Sequence, residues 1–472
     1  MLKMSRSLFF LLSVSFCLVC GCGNGTTAIN NNFPVVVFSD VHFNPFYDKS
    51  LFPALVSADA DEWASIFNTS SITAPSARGN DTNYPLLVLA LSSIRQNRGA
   101  SPLIIYTGDI LGHNFTKTFY DLSGVKGIPG DADVAAMKAF TDKTVAFFMD
   151  QVRLSVGNIP VMFAVGNSDS YSLIDDGPDS SFLSNTAELY YSKFLNGTVD
   201  HQAFLTTFTS GGYYSAEPPG TNLMVIGLNT VLFSPGFPDT GSAVAAELAW
   251  LDSRLASAKA AGKKVWLLIH IPPGAFLGAT AQSVDNNGHI TSATMMWDQN
   301  YQALFLQILS HYPGIISLTL AAHTHMDEFR ILSSSDVLEI TPSIAPYFGN
   351  NPAYKIFTFS HDTLKPTDYS SLNYDLTTMP EQFNSYYTFS TAYAMHGLLN
   401  TSLAHLFPEL VTNNLKQAFY RGHYYSGYNS ATPVTYPGGN SYNPITDLNW
   451  PVYWSGIGNM GEQELIDSVN SY

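Results

Sequence analysis

The chain has 472 residues, of which 46% are hydrophobic and only 12% charged, about half the charged share of roughly 25% in an average globular domain. That is enough apolar material for a sizeable core and excludes a wholly disordered chain; the length allows two or three domains. With 21 basic against 37 acidic residues the formal charge is −16, which speaks against a nucleic-acid polymer or an anionic membrane surface as the main partner, since both are held by basic patches.

Lys3 and Arg6 precede an apolar run from Leu8 to Cys20, followed by small residues. This reads as an export signal over residues 1–22, the run being shorter than the roughly 20 apolar residues of a membrane span. Val19-Cys20-Gly21-Cys22 loosely resembles a bacterial lipoprotein cleavage box, with Cys20 atypical for it. Two readings stay open: plain secretion into the periplasm or outside the cell, and a lipid anchor on Cys22. Cys17, Cys20 and Cys22 are the only cysteines, so disulfides, thiolate chemistry and Cys-ligated zinc are not expected in the body of the protein.

From residue 34 short apolar runs alternate with helical stretches. Strands are expected at 34–40, 103–109, 160–169, 222–230, 264–270 and 314–325, each a short apolar run, the first of them β-branched and ending at an Asp. Helices are expected at 85–97, 133–156, 243–262 and 302–312. Strands alternating with helices indicate a layered α/β fold. The blocks 337–344 and 355–360 have no helix between them and read as an antiparallel addition. Beyond about residue 360 the chain is rich in Tyr, Asn and Ser, with helices expected around Ala392–Leu399, Leu403–Tyr420 and Gly461–Val469. The expected division is a catalytic domain over 33–360 and a helical C-terminal domain over 361–472.

The polar residues at the strand exits form an ordered series: Asp40-Val41-His42, Gly108-Asp109 with His113-Asn114 four residues on, Gly166-Asn167-Ser168-Asp169, His270, and His323-Thr324-His325. Strand ends are where the loops of an α/β sheet converge on a ligand. Carboxylate and amide oxygens and neutral imidazoles suit zinc, manganese or iron. Two ions roughly 3.5–4 Å apart can share a bridging carboxylate and clamp both oxygens of an in-line phosphoryl displacement. Each piece alone is weak, because a strand-end Asp is often a turn cap and a lone His is usually structural. The weight lies in five pieces in one order, each at a strand exit.

This order resembles the calcineurin-like metallophosphoesterase superfamily, whose pattern is D-x-H, G-D, G-N-H-D/E, a lone His and G-H-x-H; the likeness covers roughly residues 34–345. The stretches TGDILGH (107–113), LIHIPPG (268–274), TPSIAPYFGNNPAYKIFTF (341–359) and DYSSLN (368–373), with the tail to about residue 470, are similar to acid sphingomyelinase and the acid sphingomyelinase-like phosphodiesterases. The resemblance implies a β-sandwich flanked by helices, with a helical C-terminal appendage. It implies two divalent ions, usually zinc: one held by Asp40, His42, Asp109 and His325, the other by Asp109, Asn167, His270 and His323, with Asp109 bridging. A metal-bridging hydroxide would attack phosphorus and a nearby His would protonate the leaving group.

Two positions depart from the pattern. Ser168 stands where the superfamily has the His that is a common choice for the general acid, and a Ser hydroxyl cannot do that work. His113, which the sphingomyelinase-like branch also places at the site, is the proton donor expected instead; the blander reading is that it only hydrogen-bonds the phosphate. Ala322 replaces the usual Gly and is small enough to leave ligation intact. His201, His289, His311, His361, His396, His405 and His423 match no motif and are expected to be structural or surface residues.

Acid sphingomyelinases carry a Cys-rich saposin-like domain that presents lipid; with roughly a dozen residues between Cys22 and the first strand, none is expected here. The sphingomyelinase-like group cleaves nucleotides and nucleotide-linked diesters or pyrophosphates, so the expected substrate is a soluble phosphodiester or nucleotide, with phosphocholine compounds including sphingomyelin as the alternative. A membrane would be met only through an anchor on Cys22. A further alternative is a metal-binding protein whose turnover is impaired by Ser168.

Overall fold

The structure is a computed structural model, and it describes residues 31–472 except 174–176, 196, 236–240, 334–335, 437–438 and 440. The expected export signal over residues 1–22, with the three cysteines, lies outside the described residues. Two six-stranded sheets are built from β1 (Asn32–Phe38), β2 (Ile104–Tyr106), β3 (Val161–Phe163), β4 (Tyr214–Ala216), β5 (Leu223–Gly227), β6 (Lys264–Leu268), β7 (Ile316–Ala321), β8 (Glu328–Ile331), β9 (Val337–Ile340), β10 (Ala353–Ser360), β11 (Pro366–Asn373) and β12 (Asn384–Thr388). The first sheet has the order β12-β11-β10-β1-β2-β3 and the second β4-β5-β6-β7-β9-β8. β1, β2 and β3 run parallel, as do β5, β6, β7 and β9, and antiparallel strands complete each sheet.

Parallel strands are buried on both faces and so read as unbroken apolar runs. In the second sheet Val225, Trp266, Leu268, Leu318 and Leu320 belong to the core shared with the first sheet. Their neighbours Met224, Ile226, Val265 and Leu267 belong to a separate core beneath helices Gly241–Ala260 and Gln299–Ser310. This period-two division is the pleat of a strand expressed as packing. Helices Tyr84–Asn97 and Asp131–Val156 cover the first sheet, where Phe148 packs on Tyr106 with ring centroids 5.3 Å apart. Local chemistry starts these helices where expected: Asn83 Oδ1 accepts from Leu86 N at 3.0 Å, and Asp298 Oδ1 from Asn300 N at 2.8 Å. Among the described residues no helix is long and apolar enough to cross a membrane.

The layered α/β sandwich with helical additions is the expected fold, and Asn32–Tyr472 form one compact unit. Details of the tail differ. The chain beyond residue 360 is not helical throughout: β11 and β12 continue the first sheet beyond β10. In place of a helix over 392–399 there is one at Phe389–Tyr393, which ends where Ala394 turns left-handed, and the next begins at Leu399. The stretch 403–420 is two helices, because Asn413 is extended (φ −123°, ψ 100°) and its side chain caps Leu415 N and Lys416 N. A further helix, Trp450–Gly458, is buried and carries no amphipathic signature.

Candidate metal centre

The strand exits meet at the seam between the two sheets. After β1 the backbone continues beside the loop after β2, with Asp40 N donating to Gly108 O and His42 N to Asp109 O, both at 3.0 Å. Among the described residues, five of the nine non-glycine residues with positive φ are candidate ligands: Asp40 (45°), His42 (44°), Asp109 (64°), His323 (72°) and His325 (67°). Such conformations are uncommon outside glycine, though Asp and His tolerate them better than most, and they persist where surrounding structure over-determines them. Here they turn each side chain back toward the seam. The close approach requires glycine nearby: a Cβ on Gly166 would lie 2.0 Å from Asp109 Oδ1, and one on Gly108 would lie 2.8 Å from His270 Nδ1.

The seven residues expected to hold metal converge as two clusters that share Asp109. Asp40, His42 and Asp109 offer donor atoms within 4.8 Å of one another, as do Asp109, His270 and His323. His42 Nε2 lies 3.1 Å from His325 Nε2, 3.3 Å from Asp109 Oδ2 and 3.9 Å from Asp40 Oδ1. Asp40 Oδ1 is 3.6 Å from His325 Nε2. In the other cluster Asn167 Oδ1 faces His323 Nδ1 at 2.8 Å and His270 Nε2 at 3.0 Å, and Asp109 Oδ2 lies 3.2 Å from the same His270 nitrogen. Two tautomers are set from behind: His42 Nδ1 donates to Leu111 O at 3.0 Å and His270 Nδ1 to Thr107 O at 2.7 Å, so each presents Nε2 to the site.

The loops are held by Asp169, which accepts from the backbone N–H groups of Asp109 (3.2 Å), Ile110 (2.8 Å) and Gly166 (2.9 Å). Ser168 contributes its own N–H to Asp109 Oδ1 at 2.8 Å, while its buried hydroxyl has no hydrogen-bond partner among the described residues. His113 lies at the edge of the first cluster, with a ring nitrogen within 4.8 Å of those of His42 and His325. Its Nδ1 is 2.7 Å from Asp81 Oδ1 and its backbone N–H donates to Asp81 Oδ2 at 2.9 Å. The imidazole is stacked between His42 (centroids 4.0 Å apart) and Tyr347 (3.6 Å, rings within 7° of parallel). Sequence reasoning missed Asp81 and Tyr347. Asp81 sits in a polar loop with no distinguishing spacing, whereas Tyr347 lies inside the resemblance-bearing stretch 341–359.

No protein-family model matches the chain. Sphingomyelin phosphodiesterase B of Dictyostelium discoideum is 24% identical over 441 residues, covering 85% of this chain and 61% of that protein. The cyclic GMP-AMP phosphodiesterase SMPDL3A of Mus musculus is 25% identical over 451 residues, covering 88% of this chain and 90% of that protein. By sequence, the chain is similar to sphingomyelin phosphodiesterases and to the cyclic GMP-AMP phosphodiesterase SMPDL3A. It spans about three-fifths of the Dictyostelium protein. Among solved structures, a dimetal phosphatase from Danio rerio overlaps 72% of this chain and 95% of its own at 13% identity, with a TM-score of 0.38, too low to bear on the site.

The donor set of this chain fits two divalent ions. Asp40 and Asp109 are buried, and among the described residues no Lys or Arg pairs with either. Unpaired carboxylates are costly in such a place. Burial pushes Asp40 up to about 7, and Asp169 likewise up to about 7, with the Asp109 charge adding to it. Burial also pushes Asp109 up, but His270 and His42 facing it outweigh this and hold it below the ordinary carboxylate range. Burial lowers His42 to about 4 and His323 to about 3, and takes His325 well below its usual value. These imidazoles are therefore neutral, the form that ligates. For His270 burial opposes the charge, but the adjacent Asp109 prevails and raises it to about 9. His325 Nδ1 is a buried polar atom with no hydrogen-bond partner among the described residues. Nitrogen and oxygen donors meeting at these distances, with no Lys or Arg beside the carboxylates among the described residues, form a site that cations would complete; zinc, manganese and iron all accept such donors.

Proposed function

We propose that the chain is an exported hydrolase of phosphodiester or pyrophosphate bonds that works with two divalent ions, zinc first among them. The observation supporting this reading is the pair of buried donor clusters sharing Asp109 at the seam of the two sheets. Asp40, His42, Asp109 and His325 would hold one ion and Asp109, Asn167, His270 and His323 the other. When bound, two such ions supply a water activated as nucleophile and neutralise charge on the phosphoryl oxygens. The protein's own residues do the rest. Asp81 holds His113 by Nδ1, which leaves Nε2 as the atom that delivers a proton to the departing oxygen. Asp169 and Ser168 N–H keep the bridging carboxylate aimed. Tyr347 fixes the plane of His113 from the outer side.

For the substrate, the names of the relatives support nucleotide and phosphocholine diesters alike. We favour a soluble nucleotide-linked ester; the second reading is sphingomyelin hydrolysis. The test uses the purified full chain with zinc, offered a nucleotide-choline diphosphate, ATP and sphingomyelin micelles, with and without chelator, products being identified by mass. Chelator-sensitive cleavage of the nucleotides supports the first reading. Release of phosphocholine from sphingomyelin supports the second. Zinc uptake with no turnover of any of them would leave a metal-binding protein impaired by Ser168. Export and a lipid on Cys22 are part of the proposal, and the mass of the mature N-terminus in cell fractions tests both.

A further inference from the structure

Below the strand exits lies a second set of charges that the proposed reaction does not use. Lys355 Nζ lies 2.8 Å from Asp327 Oδ1 and 2.7 Å from Glu339 Oε2, and all three residues are no more than 2% exposed. Lys355 belongs to β10 of the first sheet, where it pairs with Val37, three residues before Asp40. Glu339 belongs to β9 of the second sheet, where it pairs with Leu320, three residues before His323. Asp327 follows His325 by two residues. Each member is therefore attached to a segment that ends in candidate ligands, and the lysine joins the two sheets. The tail clamps the same point: Tyr387 OH donates to Asp327 Oδ2 at 2.8 Å, Asp327 N donates to Tyr424 O at 2.9 Å, and His423 lies 3.9 Å from Asp327 Oδ2 with its other nitrogen bonded to Tyr393 OH.

A buried ion network is a poor way to gain stability, since well-packed apolar residues of similar volume usually do as well or better. Its gain is directional: three charges with fixed hydrogen-bond geometry tolerate one arrangement of the strands that carry them. We propose that Asp327, Lys355 and Glu339 are positioning residues that hold the two sheets in the register at which the two halves of the metal centre meet. The inference rests on the functional reading above. It concerns geometry rather than proton exchange, and it makes the C-terminal segment a support of the site through Tyr387 and Tyr424.

The test replaces the triad by apolar residues of similar size, Asp327→Leu, Lys355→Met and Glu339→Met together, in the full chain. Zinc affinity is measured by calorimetry, Tm by calorimetric scanning, and kcat and KM at saturating zinc. The expected result is a Tm at or above that of wild type with zinc affinity weaker by about 10- to 100-fold, the usual effect of removing supports behind metal ligands; kcat falls while KM holds. A triple variant that folds, binds zinc and turns over like wild type overturns the inference. Should the triple variant fail to fold, Tyr387→Phe and Glu339→Gln preserve shape, and both are expected to weaken zinc binding without a matching loss of Tm. Unchanged zinc binding in both overturns it equally. A wild-type chain that takes up no zinc overturns the functional reading and this inference with it, whereas two zinc ions in wild type with an unaltered triple variant refutes the inference alone.

Discussion

Replacing Asp81 by Asn isolates the proton donor from the metal centre. Asp81 is outside the seven expected ligands; its two oxygens accept from His113 Nδ1 at 2.7 Å and His113 N at 2.9 Å. Asn keeps the size but only one acceptor: with that oxygen on Nδ1 the bond to the ring loses its charge assistance, and the bond from His113 N is given up. A hydrogen bond to a charged group contributes about 1.5–3 kcal/mol and a neutral one about 0.5–1.5, so the substitution removes roughly 1–1.5 kcal/mol of support for the protonated ring. At about 1.36 kcal/mol per decade this is close to a tenfold loss in kcat. The loss should depend on the leaving group. An alkyl diester, which expels a strongly basic alkoxide, needs the proton and should slow by the full factor, whereas bis(p-nitrophenyl) phosphate, which expels a weakly basic phenolate, should slow much less. The assay is steady-state kinetics on both esters with zinc content measured in parallel. Equal losses on both esters, or a loss accompanied by zinc depletion, would refute the assignment of His113 as donor and of Asp81 as its support.

Asp109→Asn should abolish uptake of both ions together with activity, because one carboxylate faces both clusters; retention of one ion at full occupancy, read by metal analysis, contradicts the bridging role. Gly166→Ala places a methyl 2.0 Å from Asp109 Oδ1 and should displace the same carboxylate, so zinc affinity should fall although Ala is only one carbon larger. The ion-free chain should lose stability as pH rises from about 6.5 to 9. His270, raised from 6.5 to about 9, favours the folded state while protonated and carries the loss across this window, whereas Asp40 and Asp169, raised from 3.8 to about 7, have lost most of their contribution by its lower end. His42 and His323, lowered to about 4 and 3, act oppositely but only below their unfolded value near 6.5. A Tm of chelator-treated protein that rises between pH 6.5 and 9 would contradict this.

Much of this architecture was legible because burial writes itself into sequence in one way. A parallel strand covered on both sides must be apolar without interruption, so the first polar residue after it marks both the end of the strand and the rim where a site can form. That is why Asp40, Asp109, Asn167, His270 and His323 stood out. The signal fails where polar groups are buried in mutual satisfaction. β8 carries Glu328 and Arg330, whose 2.7 Å ion pair cancels charge only in three dimensions, and β11 alternates Thr, Asp and Ser with buried Tyr369 and Leu372. His423 looked like an ordinary structural or surface histidine; its place against Asp327 depends on a helix far away in sequence. Asp81 reaches His113 across 32 residues of loop and helix, a distance at which no periodicity operates.

The position of the centre on the seam has an energetic consequence. Asp40, His42, Asp109 and Asn167 leave the first sheet, while His270, His323 and His325 leave the second. By the proposed assignment each ion takes donors from both sheets, so neither site is complete unless the sheets are docked. Ion binding then favours the folded chain by RT ln(1 + [L]/Kd), about 2.7 kcal/mol per site at a hundredfold excess over Kd. The added stability should appear mainly as slower opening of the seam between β1 and β7, and amide exchange in Val35–Phe38 and Leu318–Ala321 should slow on zinc addition more than exchange in the helix Gly241–Ala260, which packs on the far face of the second sheet. Uniform slowing across all three segments would mean that the ions stabilise the whole fold without acting through the seam.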